Sequence, residues 1–390
     1  MSADALTIEA LCRDSDAPED VRHFAHIATE VVFGAGSLEQ VGTKAAALGG
    51  RRVLLVTDPG ILAVGHAGRA QASLEAAGLS VTLFSDVHEN PTTLDVDRCL
   101  SVAREADIDL IVGLGGGSSM DTAKGCNFLL TNGGEMRDYW GVGKATLPMI
   151  PLIAIPTTSG TGSECQSFAL IADAETHIKM ACGDKKAAAK VALLDPELTV
   201  TLPPRVTAAT GIDAVAHALE TAVCNKRSES SLAYSRLAWQ LLDRGLDRVF
   251  ENPTDLTARA RVHLGAAYAG TAIETSMLGA AHSCANPLTA RFQIIHGIAV
   301  GIMLPHVVTL NAAGSPAAAA VYAALGDEPL VWRLGHLLGK AGVQTRLRDH
   351  GVPIEALPEL AVEAARQWTA QFNPVMVGEP ELLALYRAAW

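Results

Sequence analysis

The sequence predicts an α/β half, a parallel sheet with helices on both faces, followed by an all-α half. Three observations carry this. From about residue 50, short apolar runs bounded by Gly or Pro alternate with helix-length segments, the rhythm of βαβ units. One of those runs opens into three consecutive glycines, in IVGLGGGSSMDTAKG (111–125). After TLPPRVTAATG (201–211) the pattern turns to long Ala/Leu-rich helical stretches up to the C-terminus. At 390 residues the chain exceeds one ordinary core. The expected division is an extension over 1–25, an α/β domain over 26–200 and a helical domain over 201–390, with a ligand in the cleft between the halves.

The elements follow in order. RRVLLVT (51–57) reads as a strand, 63–78 as a helix and LSVTLFS (79–85) as a strand. A helix over 93–106, the strand IDLIVGL before the glycines, and a helix over 119–131 come next. PMIPLIAIP (148–156) is an apolar strand, FALIADAETHIKMAC (168–182) a hairpin, and KVALLDP (190–196) the last strand.

Composition excludes several classes. A formal net charge of −12 leaves no basic stripe for nucleic acid or an anionic membrane. With 49% hydrophobic residues, disorder is excluded for the bulk. The seven cysteines form no CxxC pair, which reads as reduced thiols in a cytoplasmic protein. The N-terminal stretch lacks a basic region followed by an apolar one, and no apolar run is expected to reach the about 18 residues of a membrane span. A soluble protein acting on a small molecule is expected.

The chemistry starts at Gly116, Gly117 and Ser118. Glycines at a strand end let the backbone approach a phosphate, and the helix that follows offers free N–H groups and a positive dipole end. The GxGxxG spacing is not met, since Ser118 stands where its last glycine would be. Asp58, at the end of LLVTD, sits where ribose hydroxyls are read; a carboxylate there accepts them and repels a 2′-phosphate. IPTTSGTGSEC (155–165) crowds hydroxyls after a strand, suited to phosphate or nicotinamide contacts or merely to its own turn.

GIDAVAHALE (211–220) sets Asp213 and His217 four apart, on one face of a helix. Taken alone, such a pair need only bond to itself. With His282 and His296 it becomes one carboxylate and three imidazoles in polar-poor helices, a nitrogen and oxygen set suited to Fe²⁺ or Zn²⁺. Of the other histidines, His306 reads as packed in the helical core, while His177, His263 and His336 have no partner pattern.

GLGGGSSMDTAKG, PTTSGTGSE, DPELTVTLPP, GIDAVAHALE, the AAH…NPL…HG block, LPHV and FNPVMVGEPELL resemble the iron-containing (group III) alcohol dehydrogenases, in order from about residue 30 to the end. The resemblance implies an N-terminal dinucleotide-binding domain and a helical metal domain of the dehydroquinate synthase-like architecture. It implies the metal ligands Asp213, His217, His282 and His296, with Fe²⁺ ahead of Zn²⁺. It implies cofactor contacts from Asp58, Asn90, Gly116, Gly117, Ser118, Asp121, Thr157, Thr158, Thr161 and Lys179, with Lys179 reaching the ribose and NAD preferred to NADP. A homodimer or higher homo-oligomer is implied as well.

One position departs from the family. Four residues after His282 the family carries a further histidine, and here stands Asn286, an amide that donates and accepts but takes no proton at neutral pH. Asn286 is expected to orient substrate or nicotinamide. The competing expectation is that it caps the turn before Pro287. The implied activity is hydride transfer between a nicotinamide and an alcohol, aldehyde or ketone. A hydroxyacid–oxoacid transhydrogenase and a dehydroquinate synthase-like lyase are the alternatives.

Overall fold

The computed structural model describes residues 6–176 and 178–390, so His177 lies outside it. The chain forms two compact units. The first holds residues 6–10, His23–Thr158 and Gly162–Leu202; the second holds Leu11–Arg22, Ser159–Thr161 and Pro203–Trp390.

The first unit is built on nine strands, β1 (Glu30–Phe33), β2 (Arg52–Val56), β3 (Ser80–Phe84), β4 (Leu110–Gly115), β5 (Gly141–Val142), β6 (Leu152–Pro156), β7 (Phe168–Ala172), β8 (Lys179–Gly183) and β9 (Val191–Leu194). Six of them form a parallel sheet in the order β1-β9-β6-β4-β2-β3. The expected hairpin is present as antiparallel β7 and β8, joined by the two-residue β5. The rhythm expected to begin near residue 50 in fact begins at β1. EVVF has no local partner and becomes a strand only by pairing with distant β9.

Parallel strands covered on both faces need apolar side chains on both. Leu54, Val56 and Ile111 enter one buried cluster, and Val53, Leu55, Leu110 and Val112 enter the other. Each fully buried Val or Leu contributes about 1.5–3 kcal/mol. Left-handed Gly65 interrupts the region expected as one helix over 63–78: Pro59–Ala63, begun by its proline, ends before it, and His66–Ala76 follows.

The second unit is helical. Its long helices are Pro204–Val223, Glu229–Glu251, Leu256–Thr275, Ala280–Phe292 and His296–Gly314. Beyond residue 314 the expected long stretches are replaced by shorter helices and single turns, because Pro329, Pro353 and the Asn373–Pro374 step interrupt them. Ser228 and Asp255 cap their helices by accepting from the N–H groups of Ser231 and Ala258. The segment Leu11–Arg22, expected as part of an extension, is tied to this unit, where Tyr268 Oη donates to the Arg22 carbonyl at 2.8 Å.

Helix His296–Gly314 is long and apolar enough, by composition, to cross a membrane. Its apolar run is interrupted by His306 and Asn311, and Asn311 is buried and bonded to Asn373. It is a core helix of this unit.

Candidate metal and nucleotide sites

In the first unit the chain leaves β2 to one side, into β3, and returns on the other as β4. Such a reversal opens a crevice at the carboxyl ends of the two strands. Asp58 follows β2 there, Gly115 ends β4, and Gly116 leads into the helix that starts at Gly117. Gly115 has φ +147°, and a Cβ on it would lie 2.4 Å from Ser119 Oγ. The turn therefore admits only glycine at that position. The helix starts at Gly117, two residues earlier than expected, with no side-chain cap on its 16 residues. Asp58 Oδ1 accepts from the Ile61 N–H at 3.0 Å, while its Oδ2 faces Gly115.

Several predicted contacts converge on this crevice. The Asn90 N–H donates to Ser118 Oγ at 3.3 Å, and Lys179 Nζ donates to Asn90 Oδ1 at 3.5 Å. Asn90 holds φ +54°, a left-handed turn that asparagine tolerates. The Thr157 and Thr158 hydroxyls are buried without hydrogen-bond partners, and Thr158 packs against Gly116. Thr161 belongs to the second unit. Asp121 is committed to protein: Ser163 Oγ donates to its Oδ1 at 2.9 Å, and Lys124 Nζ donates to Ser163 Oγ at 2.8 Å. Burial raises the Asp121 carboxyl, against the pull of Lys124 and Ser163. Sequence reasoning did not single out Lys124, although a lysine three residues after an aspartate in a helix otherwise buried was its signal.

In the second unit Asp213, His217 and His282 bring one ligand atom each to within 4.8 Å of one another. Asp213 and His217 share a helix face as their spacing requires, with His217 Nε2 3.6 Å from Asp213 Oδ2. His282 Nε2 lies 3.5 Å from Asp213 Oδ1, and His296 Nε2 lies 4.0 Å from the same oxygen. His296 stands beside the tight trio and is more exposed. The imidazoles of His217 and His282 stack at 4.9 Å. The approach of His296 depends on Gly297, where a Cβ would meet the Ala209 carbonyl oxygen at 2.0 Å. Only a glycine lets helix His296–Gly314 cross helix Pro204–Val223 so closely.

These residues fit a divalent cation. Asp213 Oδ1 and His282 Nε2 are buried with no hydrogen-bond partner, an arrangement that costs free energy unless something else binds them. Two ligand atoms each about 2.1 Å from a tetrahedral ion stand about 3.4 Å apart, close to the separations seen. Burial would raise the Asp213 carboxyl, yet His217, His282 and His296 hold it below the ordinary carboxylate range. Burial lowers the His217 imidazole. It would lower that of His282 too, but Glu220 and Asp213 lift it to about 9.

Glu220 was missed. It lies three residues after His217 on the same helix, its Oε2 bonded to His282 Nδ1 and its Oε1 accepting from the Ala281 N–H at 2.7 Å. One carboxylate thus caps helix Ala280–Phe292 and orients the ligand near its start. A buried glutamate on the face that carries Asp213 and His217 was the available signal. Asn373, from the closing motif, completes the cap by accepting from the Ala280 N–H at 3.3 Å.

Asn286 is inside helix Ala280–Phe292, as is Pro287, so it caps no turn. Its Nδ2 donates to Gln367 Oε1 at 3.0 Å. His263 and His336 do have partners: His263 Nδ1 pairs with Ser159 Oγ at 3.0 Å, and His336 stacks on Trp332 beside Asp247.

Residues 28–196 match the model of the iron-containing alcohol dehydrogenases, and 207–390 that of the C-terminal part of the Fe-containing alcohol dehydrogenase family. Alcohol dehydrogenase 4 of Schizosaccharomyces pombe is 34% identical, over 92% of this chain and 87% of its own. A crystal structure of 1,3-propanediol oxidoreductase superposes with TM-score 0.89 at 30% identity, covering 92% of this chain and 97% of that one. Sulfoacetaldehyde reductase from Bifidobacterium kashiwanohense, in complex with NAD+, gives TM-score 0.87 at 26% identity, covering 93% and 97%.

Proposed function

This chain belongs to the iron-containing alcohol dehydrogenases, and on that footing we propose that it exchanges hydride between NAD and a small alcohol or its carbonyl counterpart, with one divalent cation. Fe²⁺ is the proposed ion and Zn²⁺ the alternative the same donors accept. The observation that carries the reading is the convergence of Asp213, His217 and His282, with His296 beside them and two buried ligand atoms unpartnered. When bound, the cation supplies Lewis acidity toward the substrate oxygen and the nicotinamide supplies the redox step.

The chain's own residues do the positioning. Asp58 accepts from ribose hydroxyls and disfavours a 2′-phosphate. Gly116, Gly117 and Ser118, at the start of a 16-residue helix, present N–H donors to the diphosphate. Thr157 and Thr158 offer free hydroxyls, and Lys179 with Asn90 edges the same crevice. Glu220 fixes the tautomer and direction of His282. Asn286 orients substrate or amide without exchanging a proton. The NAD+ in the solved sulfoacetaldehyde reductase supports the choice of cofactor. Seven buried cysteines, none of them in a disulfide, support a reducing compartment, the cytoplasm.

The test is direct. Metal-loaded protein is mixed with NAD and a panel of short alcohols and diols, and NADH absorbance is followed. Net NADH from one or more alcohols is expected. Turnover of paired hydroxy- and oxo-acids without net NADH points instead to a transhydrogenase and sinks the reading.

A further inference from the structure

Helix Pro204–Val223 carries Thr210, Asp213 and His217 at spacings that put all three along one face. Against that face lies Ser159–Thr161, a segment of the second unit that is neither helix nor strand. A Cβ on Gly160 would stand 2.5 Å from Thr210 Cβ and 2.8 Å from the Thr210 carbonyl oxygen. Only glycine lets the segment come so close. From there the Gly160 carbonyl accepts a hydrogen bond from His217 Nδ1 at 3.2 Å.

That bond decides which nitrogen of His217 is available. A neutral imidazole carries one proton and a carbonyl only accepts, so the proton sits on Nδ1. Nε2 is left bare, 3.6 Å from Asp213 Oδ2, and free to act as a ligand atom. Gly160 thus does for His217 what Glu220 does for His282, with a peptide carbonyl in place of a carboxylate.

Helices and strands hold their peptide groups by regular hydrogen bonding, and Ser159–Thr161 lies in neither. A neighbouring side chain supplies the hold. Ser159 Oγ is hydrogen-bonded to Nδ1 of His263 at 3.0 Å, and the two residues are only 5% and 1% exposed. His263 stands within the 20-residue helix Leu256–Thr275, a support from outside the segment. Burial and the charge of Arg259 hold its imidazole at about 3. The ring is therefore neutral above that pH, an anchor that does not change over the working range.

We propose that Ser159 and His263 are positioning residues of the metal centre: together they hold the Gly160 carbonyl behind His217 and so fix its tautomer and direction. The proposal rests on the reading that Asp213, His217, His282 and His296 hold one cation. Its rival is that Ser159 and His263 merely satisfy each other's buried polar atoms.

Zn²⁺ affinity by chelator competition, with the melting temperature of the metal-free chain, separates the two. Replacing both partners of a buried hydrogen bond by apolar groups is nearly neutral for stability. The double variant Ser159→Ala/His263→Leu should therefore melt close to wild type. It should nonetheless bind Zn²⁺ roughly tenfold more weakly, the lower end of the loss when a ligating histidine is left unsupported. His263→Asn, whose amide can take the place of Nδ1 beside Ser159 Oγ, should keep wild-type affinity. Equal affinity in wild type and the double variant overturns the proposal and leaves the cation reading standing. His263→Asn binding as weakly as the double variant also overturns it, because the loss would then follow packing around His263. Wild type that binds Zn²⁺ no better than Asp213→Ala sinks the cation reading, and the proposal with it. If the double variant does not fold, Ser159→Ala takes its place, with the same loss expected and unchanged affinity fatal.

Discussion

Glu220 is hydrogen-bonded through Oε2 to Nδ1 of His282, which leaves Nε2 as the ring nitrogen that faces Asp213. The pair sets both the tautomer of a proposed ligand and the start of the helix that carries it. Glu220→Gln should therefore lower metal affinity by roughly 10- to 100-fold, the usual effect of losing a carboxylate behind a ligating histidine. A chelator competition titration reads this. Unchanged affinity would reduce Glu220 to a helix cap.

Asp213→Ala and His282→Ala should each bring metal content below one ion per chain while far-UV circular dichroism stays native. One ligand fewer leaves an open, weakly held site. Elemental analysis decides, and full occupancy in both variants would remove these residues from the site.

Asp58 carries two roles that substitution can separate. Asp58→Gly should narrow a preference for NAD over NADP, by loss of repulsion toward the 2′-phosphate. It also removes the bond to the Ile61 N–H, for a helix-cap cost of at most about 1 kcal/mol, glycine being a tolerable cap. Asp58→Ser keeps a cap and should narrow the preference equally. The ratio of kcat/KM for the two cofactors is the readout; equal use of both by wild type would move Asp58 away from the ribose.

Asn286→Ala should lower kcat/KM by roughly tenfold, the loss of one hydrogen bond to a polarised group. In the structure its amide donates to Gln367. Gln367→Ala is the control, because a merely structural Asn286 would show the same drop in melting temperature in both variants and an intact kcat/KM. No inflection near pH 6.5 is expected from this site in wild type, whereas Asn286→His should introduce one.

Glu164 gives a pH dependence apart from the metal ligands. Burial lifts its carboxyl from an ordinary 4.5 to about 7, despite the opposing pull of its own backbone and Lys124. A raised acid binds its proton more tightly in the folded chain. Its contribution to stability is thus full below about pH 4.5 and is lost as pH rises to about 7, by about 3 kcal/mol. Glu164→Gln should flatten the melting temperature between pH 5 and 7 relative to wild type. The same slope in both proteins would show that Glu164 titrates normally.

Much of the molecule was legible along the chain because it depends on neighbours. The strands from β2 onward, two-residue β5 excepted, the glycine turn and the shared face of Asp213 and His217 are set by periods of two or four residues and by backbone freedom at Gly115. Their physics is local. Membership of the family was readable for the same reason, since its motifs are short contiguous strings.

What tertiary structure alone decided involves residues far apart. Strand β1 exists through pairing with β9. Asp121 meets Ser163, and Asn286 meets Gln367, across gaps that no spacing rule covers. Glu220 becomes the partner of His282 across 62 residues, and His296 comes to Asp213 because Gly297 lets its helix pass against the Ala209 carbonyl. Hydrogen bonding and burial of charge act over a few ångströms. Which groups come within that reach is fixed by packing, which the order of residues specifies but does not display.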